Sequence, residues 1–518
     1  MIGLALLLAS LLGAAPAAKG TPAPAPAAPV PTAAPKPSLP APAPAKAAAK
    51  DAPPAEPPPP PSTPEMYEAA LAAHAKGDTK TAVARLHAWL HGAPRTADNY
   101  QPAQHLLAQD LHHLGLVHAA LVYEEDVVRS RTRPELLPEA LARLQQWSAV
   151  PHDEVRLEEE LLHGTDFGAL DQPARDWVAY VQGSFDLRAG NDRWAKGRFA
   201  ELADHSAFRA RARLLEDAIK LERSGEDAEG RLADFEAIGK DEKAPRDVRN
   251  DARISAARLH FEQGDYNGAL ALYESVDLPE LDPGRGQIYL EEAWARYRSG
   301  EGSRAMGLLA ALEAPSFRAL FLPEKFLLRA LIFKDACQWL SAKRAAKTVL
   351  RRYSPSLDAV HDRRDLTRDP ILADAALQKG RGKRAADLVA QLGREHDLLE
   401  RYTGAFAEGG LATTLSKLYA QEMSEAERQR QLELEAGVAR SADELLGAVE
   451  QAGLVDYEVG LALYRRGRPD AAAPALTFSD DKPGPNQEAY EFDGEYWNDE
   501  LPALRFSLVN RCREVSAP

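Results

Sequence analysis

The chain has 518 residues, 27% of them charged, and a formal net charge of −15. That length leaves room for a large core or several domains, and the acidic balance argues against nucleic acid or an anionic lipid surface as the main partner. Ala and Arg are abundant while β-branched runs are scarce, which favours helix. Cys337 and Cys512 are the only cysteines. They are too few for a disulfide scaffold, leaving either one long-range bridge in an oxidising compartment or two packed thiols.

Residues 2–18 form an apolar run closed by Ala15-Pro16-Ala17, a small-x-small cleavage pattern. The run is too short for a comfortable transmembrane helix and reads as a secretory signal, residues 1–18. No Lys or Arg precedes it, so an uncleaved signal anchor is the alternative; no cysteine near the cleavage point offers a lipid attachment site. Residues 19–64 are almost all Pro and Ala, with Lys36, Lys46 and Lys50 spaced through them. Proline locks φ and removes donors, so this stretch reads as a disordered, stiff tether reaching on the order of 100 Å, or as a leader with no ligand at all.

From residue 65 to 353 the apolar pattern is that of short amphipathic helices in pairs. In Asn250–Leu281, Ile254, Ala257 and Phe261 mark one helix; Ala269, Leu272, Tyr273 and Val276 mark the next, with Gly264-Asp265 as the turn. Turn glycines followed five residues on by a small residue occur at Gly77 (Ala82), Gly115 (Ala120), Gly190 (Ala195), Gly225 (Gly230), Gly264 (Ala269) and Gly300 (Ala305). Cys337 takes the next turn, with Ala342 five on, and Val150-Pro151 supplies the turn missing between Gly115 and Gly190. About eight hairpins result, and a hairpin that cannot bury its own apolar face needs copies on either side.

These units resemble tetratricopeptide repeats. Gly183 stands in the place of the family's Leu-Gly pair, Gly190-Asn191-Asp192 is the turn, Ala195 the close-contact alanine and Phe199 the aromatic of the second helix. Ala257, Gly264, Ala269 and Tyr273 take the same roles one unit on. The resemblance covers about 60% of the chain with degenerate motifs. It implies an all-α, right-handed solenoid of helical hairpins whose concave face, lined by first helices, receives peptides.

Residues 354–480 read as further helical hairpins and a long helix. A charged segment to Asp369 breaks the rhythm, a hairpin turns near Lys379-Gly380, and Ser424-Glu425-Ala426-Glu427 reads as a capping box opening a helix to about Gln451. Its apolar residues (Leu432, Leu434, Val438, Leu445, Leu446, Val449) leave a broad charged face for packing along the solenoid or against a partner helix. Gly460, Gly467 and Ala472 match repeat spacing once more. Residues 481–518, mixing aromatics and acids, read as the terminal cap.

No nucleotide loop, nucleophile elbow or zinc-protease helix is present, so no cofactor and no catalytic residue is expected. Seven of thirteen histidines lie between His74 and His118. His87 and His91 share a helix face but lack a third ligand, so solvent-facing histidines are expected rather than a metal site. Asp493, Glu495 and Asp499 lack calcium-loop spacing. The informative positions are on first helices, counted back from each turn. Arg188, Arg223, Arg298 and Arg465 stand two before it; Phe261, Tyr297 and Tyr464 three before; Arg258 and Trp294 six before; Trp177 and Tyr180 lie further back. An Arg–aromatic groove suits a partner peptide with carboxylates and an apolar anchor; the alternative is inter-repeat packing. The expected function is a non-catalytic scaffold or adaptor in the periplasm of a Gram-negative bacterium, similar to the repeat components of myxobacterial gliding-motility and secretion complexes. A regulator of peptidoglycan-synthesising or -cleaving enzymes is the alternative, and an enzyme site in residues 354–518 a third.

Overall fold

The computed structural model describes residues 61–224, 228–466, 496, 500–506 and 508–512. The signal-like run, the Pro/Ala tether to residue 60, Gly225, Gly467, Ala472 and the acidic positions Asp493, Glu495 and Asp499 lie outside them. The fold is an all-α, TPR-like solenoid, and no strand occurs among the described residues.

Eight hairpins follow one another. Their helices are Pro64–Ala75 with Thr79–Gly92, Tyr100–His113 with Val117–Ser130, and Leu137–Trp147 with the π-helical Val155–His163. Next come Gln172–Arg188 with Asp192–Ala200, Ala207–Ser224 with Ala228–Lys240, and Arg246–Glu262 with Tyr266–Glu274. Pro283–Arg298 with Gly302–Ala311, and Glu324–Asp335 with Trp339–Arg352, complete the series. The turns at Gly77, Gly115, Gly190, Gly264, Gly300 and Cys337 form where the sequence places them. Gly264 has φ +82°, a left-handed conformation that costs glycine little, and Cys337 adopts φ +56° in the equivalent place. Asp78 and Asp265 then cap the following helices by accepting from Thr81 N–H and Gly268 N–H. The small residues five past the turns, Ala82, Ala120, Ala195, Ala269, Ala305 and Ala342, are fully buried. A side chain at Gly183 would strike the Phe199 ring, which accounts for the glycine in that place.

Hairpins one to three share one apolar core and hairpins seven and eight another, while those between are joined by three small clusters. What links the two large cores is Leu411–Arg466, a single helix of 56 residues and roughly 80 Å. The expected capping box at Ser424 does not start a helix. No Pro or Gly separates Leu411 from Ser424, so nothing stops the helix there, and Glu425 and Glu427 pair instead with Arg428 and Arg430 within it. The chain does turn at Gly380, but Pro370–Ala376 and Gly380–Tyr402 pack on the long helix rather than forming a hairpin together. At Gly437 the long helix passes close enough to Ala376 that a Cβ would lie 2.7 Å from the alanine methyl.

The first half of this helix, with Gly380–Tyr402, seats Leu388, Leu392, Leu399, Leu415 and Tyr419 in the first core. Its second half covers the last hairpin through Leu445, Ala452, Val455 and Val459, with Lys334–Glu458 at 2.8 Å on the rim. The tail lies along hairpins seven and eight. Leu501 is buried, Phe506 N–H donates to Ser303 O, Arg511 N–H donates to Ala336 O, and Cys512 is bonded to Cys337. The tail therefore seals a seam, and the long helix covers the end of the repeat array.

The seam depends on Gly307, where an added Cβ would sit 1.7 Å from Leu504 O. Gly307→Ala is expected to lower stability by about 1–3 kcal/mol and to expose the tail to proteolysis. Thermal melts with limited proteolysis test this; unchanged behaviour would mean that the tail is not seated there.

Candidate interaction surfaces

The nine first-helix positions divide by exposure. Trp177 is buried in the first core, and Tyr180 stacks on Phe208 at 5.2 Å between two clusters. Phe261 packs edge-on against Tyr266 at 5.4 Å, and Trp294 against Tyr297 at 6.0 Å. Tyr297 O–H donates to Asp335 of the next hairpin. Arg258 makes a two-pronged pair with Glu291, both contacts at 2.8 Å, and is largely enclosed. All six pack within the array, and Tyr180, Arg258 and Tyr297 bridge neighbouring hairpins. Arg188, Arg223 and Arg298 are exposed. Arg223 bonds Asp192 at 2.7 Å and the Leu187 carbonyl, while Arg188 borders a cleft of about 380 Å³ facing the long helix. Tyr464 stands exposed on the long helix, and the Arg465 side chain lies outside the described residues.

The wall carrying Arg258 is not a stripe of surplus cations. Arg211 pairs with Asp247 at 2.6 Å and Arg258 with Glu291. Burial, aided by Asp247, pushes the Asp251 carboxyl up to about 6. Burial also raises Glu324 and Glu444, which face each other beside Lys379. Counting arginines back from the turns misses these carboxylates, because they come from other helices or other places on the same ones.

The amino-terminal histidines are not solvent-facing as a group. His74 donates to Asp110 and His105 to Glu124 across adjacent helices. His87 is buried, donates to the Gly409 carbonyl, and is pulled down to about 4 by burial. His118 donates its backbone N–H to Glu395 at 2.8 Å and its ring Nε2–H to Glu422 at 3.2 Å. Arg156 bonds Glu125 and Glu422, at 2.6 and 2.5 Å. Tyr419 O–H donates to Glu395 at 2.7 Å. Burial works against an ionised Glu422, but His118 and Arg156 overcome it and hold that carboxyl below its usual range. Histidine at these places fits its ability to bond two elements at once, a pairing that no sequence spacing reveals. Among the described residues no group of three or more metal-ligating side chains converges, and no helix is long and apolar enough to cross a membrane.

A second cleft, of about 540 Å³, lies between hairpins seven and eight. Glu313, Phe326, Arg329, Arg351 and Arg352 line it. Lys325, only 2% exposed, reaches Glu313 at 3.2 Å, and Arg329 reaches the same carboxylate at 3.6 Å. The sequence did carry a signal here: Lys325 and Arg329 are four apart on one helix face. Their convergence with Arg351 and Arg352 required knowing how two helices pair.

No protein-family model matches the chain, and no curated protein does. Among solved structures it is similar to a tetratricopeptide repeat protein from Parabacteroides merdae ATCC 43184, at 14% identity and a TM-score of 0.24. That match covers 55% of this chain and 90% of the other. At that level the likeness carries no argument, and the fold stands on the hairpins themselves.

The raised Asp251 carboxyl gives a sign to pH dependence. The native state takes up this proton near pH 6, above the ordinary carboxyl range, so ionised Asp251 costs stability at neutral pH and the cost fades as pH falls through 6 toward 4. Asp251→Asn is expected to stabilise on the order of 1–3 kcal/mol at pH 8, with the gain shrinking below pH 5. Thermal melts of both proteins from pH 4 to 8 decide this; a constant difference would remove burial of the charge as its cause.

Proposed function

We propose that the chain is an exported, non-catalytic scaffold that holds together parts of a cell-envelope machine in the periplasm of a Gram-negative bacterium. The observation that carries this reading is the architecture: eight hairpins in series, fixed at both ends by one long helix. Such a frame offers extended surface on which several partners can be held at once. Arg188, Arg223 and Arg298 are the exposed members of the first-helix set and the residues through which a partner's carboxylates would be held. The Cys337–Cys512 bond suits an oxidising compartment, and the apolar amino-terminal run suits export. Gliding motility or secretion is the machine named by the sequence resemblance. A regulator of peptidoglycan-synthesising or -cleaving enzymes is the second reading, since the same surface serves one client as readily as several.

Crosslinking in cells, followed by purification from the envelope fraction and mass spectrometry, tests the proposal. Motility or secretion proteins in the eluate are the expected result; cell-wall enzymes alone would favour the regulator, and no envelope partner would overturn both readings. Reversing Arg188 and Arg298 together to Glu is expected to abolish capture with helicity and Tm nearly unchanged, Arg223 being left in place because it also bonds Asp192 and the Leu187 carbonyl. Persistent capture would remove these arginines from the contact.

A further inference from the structure

We infer that the cleft between hairpins seven and eight is a docking site for an acidic peptide segment of a partner protein, whose carboxylates are held by Arg329, Arg351 and Arg352. The inference rests on the scaffold reading above and adds a place and a partner chemistry to it, away from the first-helix arginines.

Charge balance is the argument. Among the described residues, Arg329, Arg351 and Arg352 line the cleft together with one carboxylate, Glu313, which Lys325 also reaches, in a chain whose net charge is −15. Two of these cations are substantially enclosed. Lys325 is 2% exposed, and Arg329 donates to the Leu309 carbonyl while sharing Glu313 with Lys325. Burial pulls both below their usual basicity, against the pull of Glu313. The other two are exposed at the mouth, where Arg351 donates to Thr348 and Arg352 to the Arg318 carbonyl.

Helix ends explain only part of this arrangement. Arg351 and Arg352 end the helix Trp339–Arg352, where the dipole favours a cation. Lys325 is the second residue of Glu324–Asp335, where the dipole opposes one. An added anion relieves that opposition. Guanidinium groups at the mouth match carboxylates in paired geometry, and a cleft of about 540 Å³ admits several side chains of an extended peptide.

The test uses the full chain and a fluorescently labelled hexaglutamate peptide, read by anisotropy. Binding with Kd on the order of 10 µM is expected at about 50 mM salt, weakening at least tenfold by about 300 mM. The double variant R351E/R352E should bind at least tenfold more weakly with its Tm unchanged. R351Q/R352Q, which keeps the side-chain length, should fall between the two. R368E, at a side chain 86% exposed elsewhere, should bind like the parent chain. Absent or salt-independent binding, or equal losses in R368E and R351E/R352E, would overturn the inference. Displacement of the peptide by equimolar inorganic phosphate would also overturn it, assigning the site to phosphate. Failure here together with envelope partners captured in cells would remove only this site; peptide binding with no such partners would remove the scaffold reading and leave the site standing.

Discussion

The structure depends on how a long, largely polar helix is fastened at its amino-terminal half. A repeat array contacts only its neighbours, so nothing in hairpins one and eight brings them into one body. The fastening is a buried polar set: His118 and Arg156 from the array meet Glu395 of Gly380–Tyr402 and Glu422 of the long helix, two helices that together form a clamp, with Glu125 and Tyr419 completing the bonding. Burying charge is unfavourable unless each group is paired, and here the pairing comes from segments about 300 residues apart. A wrong register of the long helix would leave several of these groups unpaired at once. The cluster thus works as a device for register, with apolar contacts of Leu399, Leu415 and Phe406 supplying attraction around it.

The two large cores and the three small ones between them divide the array mechanically. Hairpins one to three and hairpin eight pack against the long helix, whereas hairpins four to six are joined to their neighbours chiefly through small clusters such as Ala212, Leu215 and Ile219. Paired side chains substitute there for apolar bulk, as in Arg258–Glu291 and Arg223–Asp192. Arginines that read in sequence as a binding stripe are partly this substitution.

Local features of the fold were legible from residues alone because they depend on neighbours a few positions away. A turn glycine, a small residue five on, and a capping Asp each report on one hairpin, and the eight hairpins follow. The start of the long helix at Leu411 is not legible in the sequence, because Ser424 to Glu427 serves equally as a capping box and as ordinary helix interior. What had to be seen in three dimensions was every pairing between distant helices. The anions facing Arg258, the partners of the histidines and the gathering of Lys325, Arg329, Arg351 and Arg352 all come from elements that no spacing connects. Cys337 stood between the two cases: its place at a turn was readable, and its bond to Cys512 was one of two open alternatives.

That bond has a topological consequence. Residues 337 and 512 close a covalent loop of the intervening chain, and the whole clamp helix lies inside it. Tension applied to the chain beyond Cys512 passes through the sulfurs directly to the turn of the eighth hairpin. The tail's own hydrogen bonds along the seam are bypassed. From hairpin eight the load divides between the array and the long helix packed on it, so the middle units with their small clusters are held short by the helix beside them. A protein held at both ends in this way behaves as a stiff frame with one compliant side.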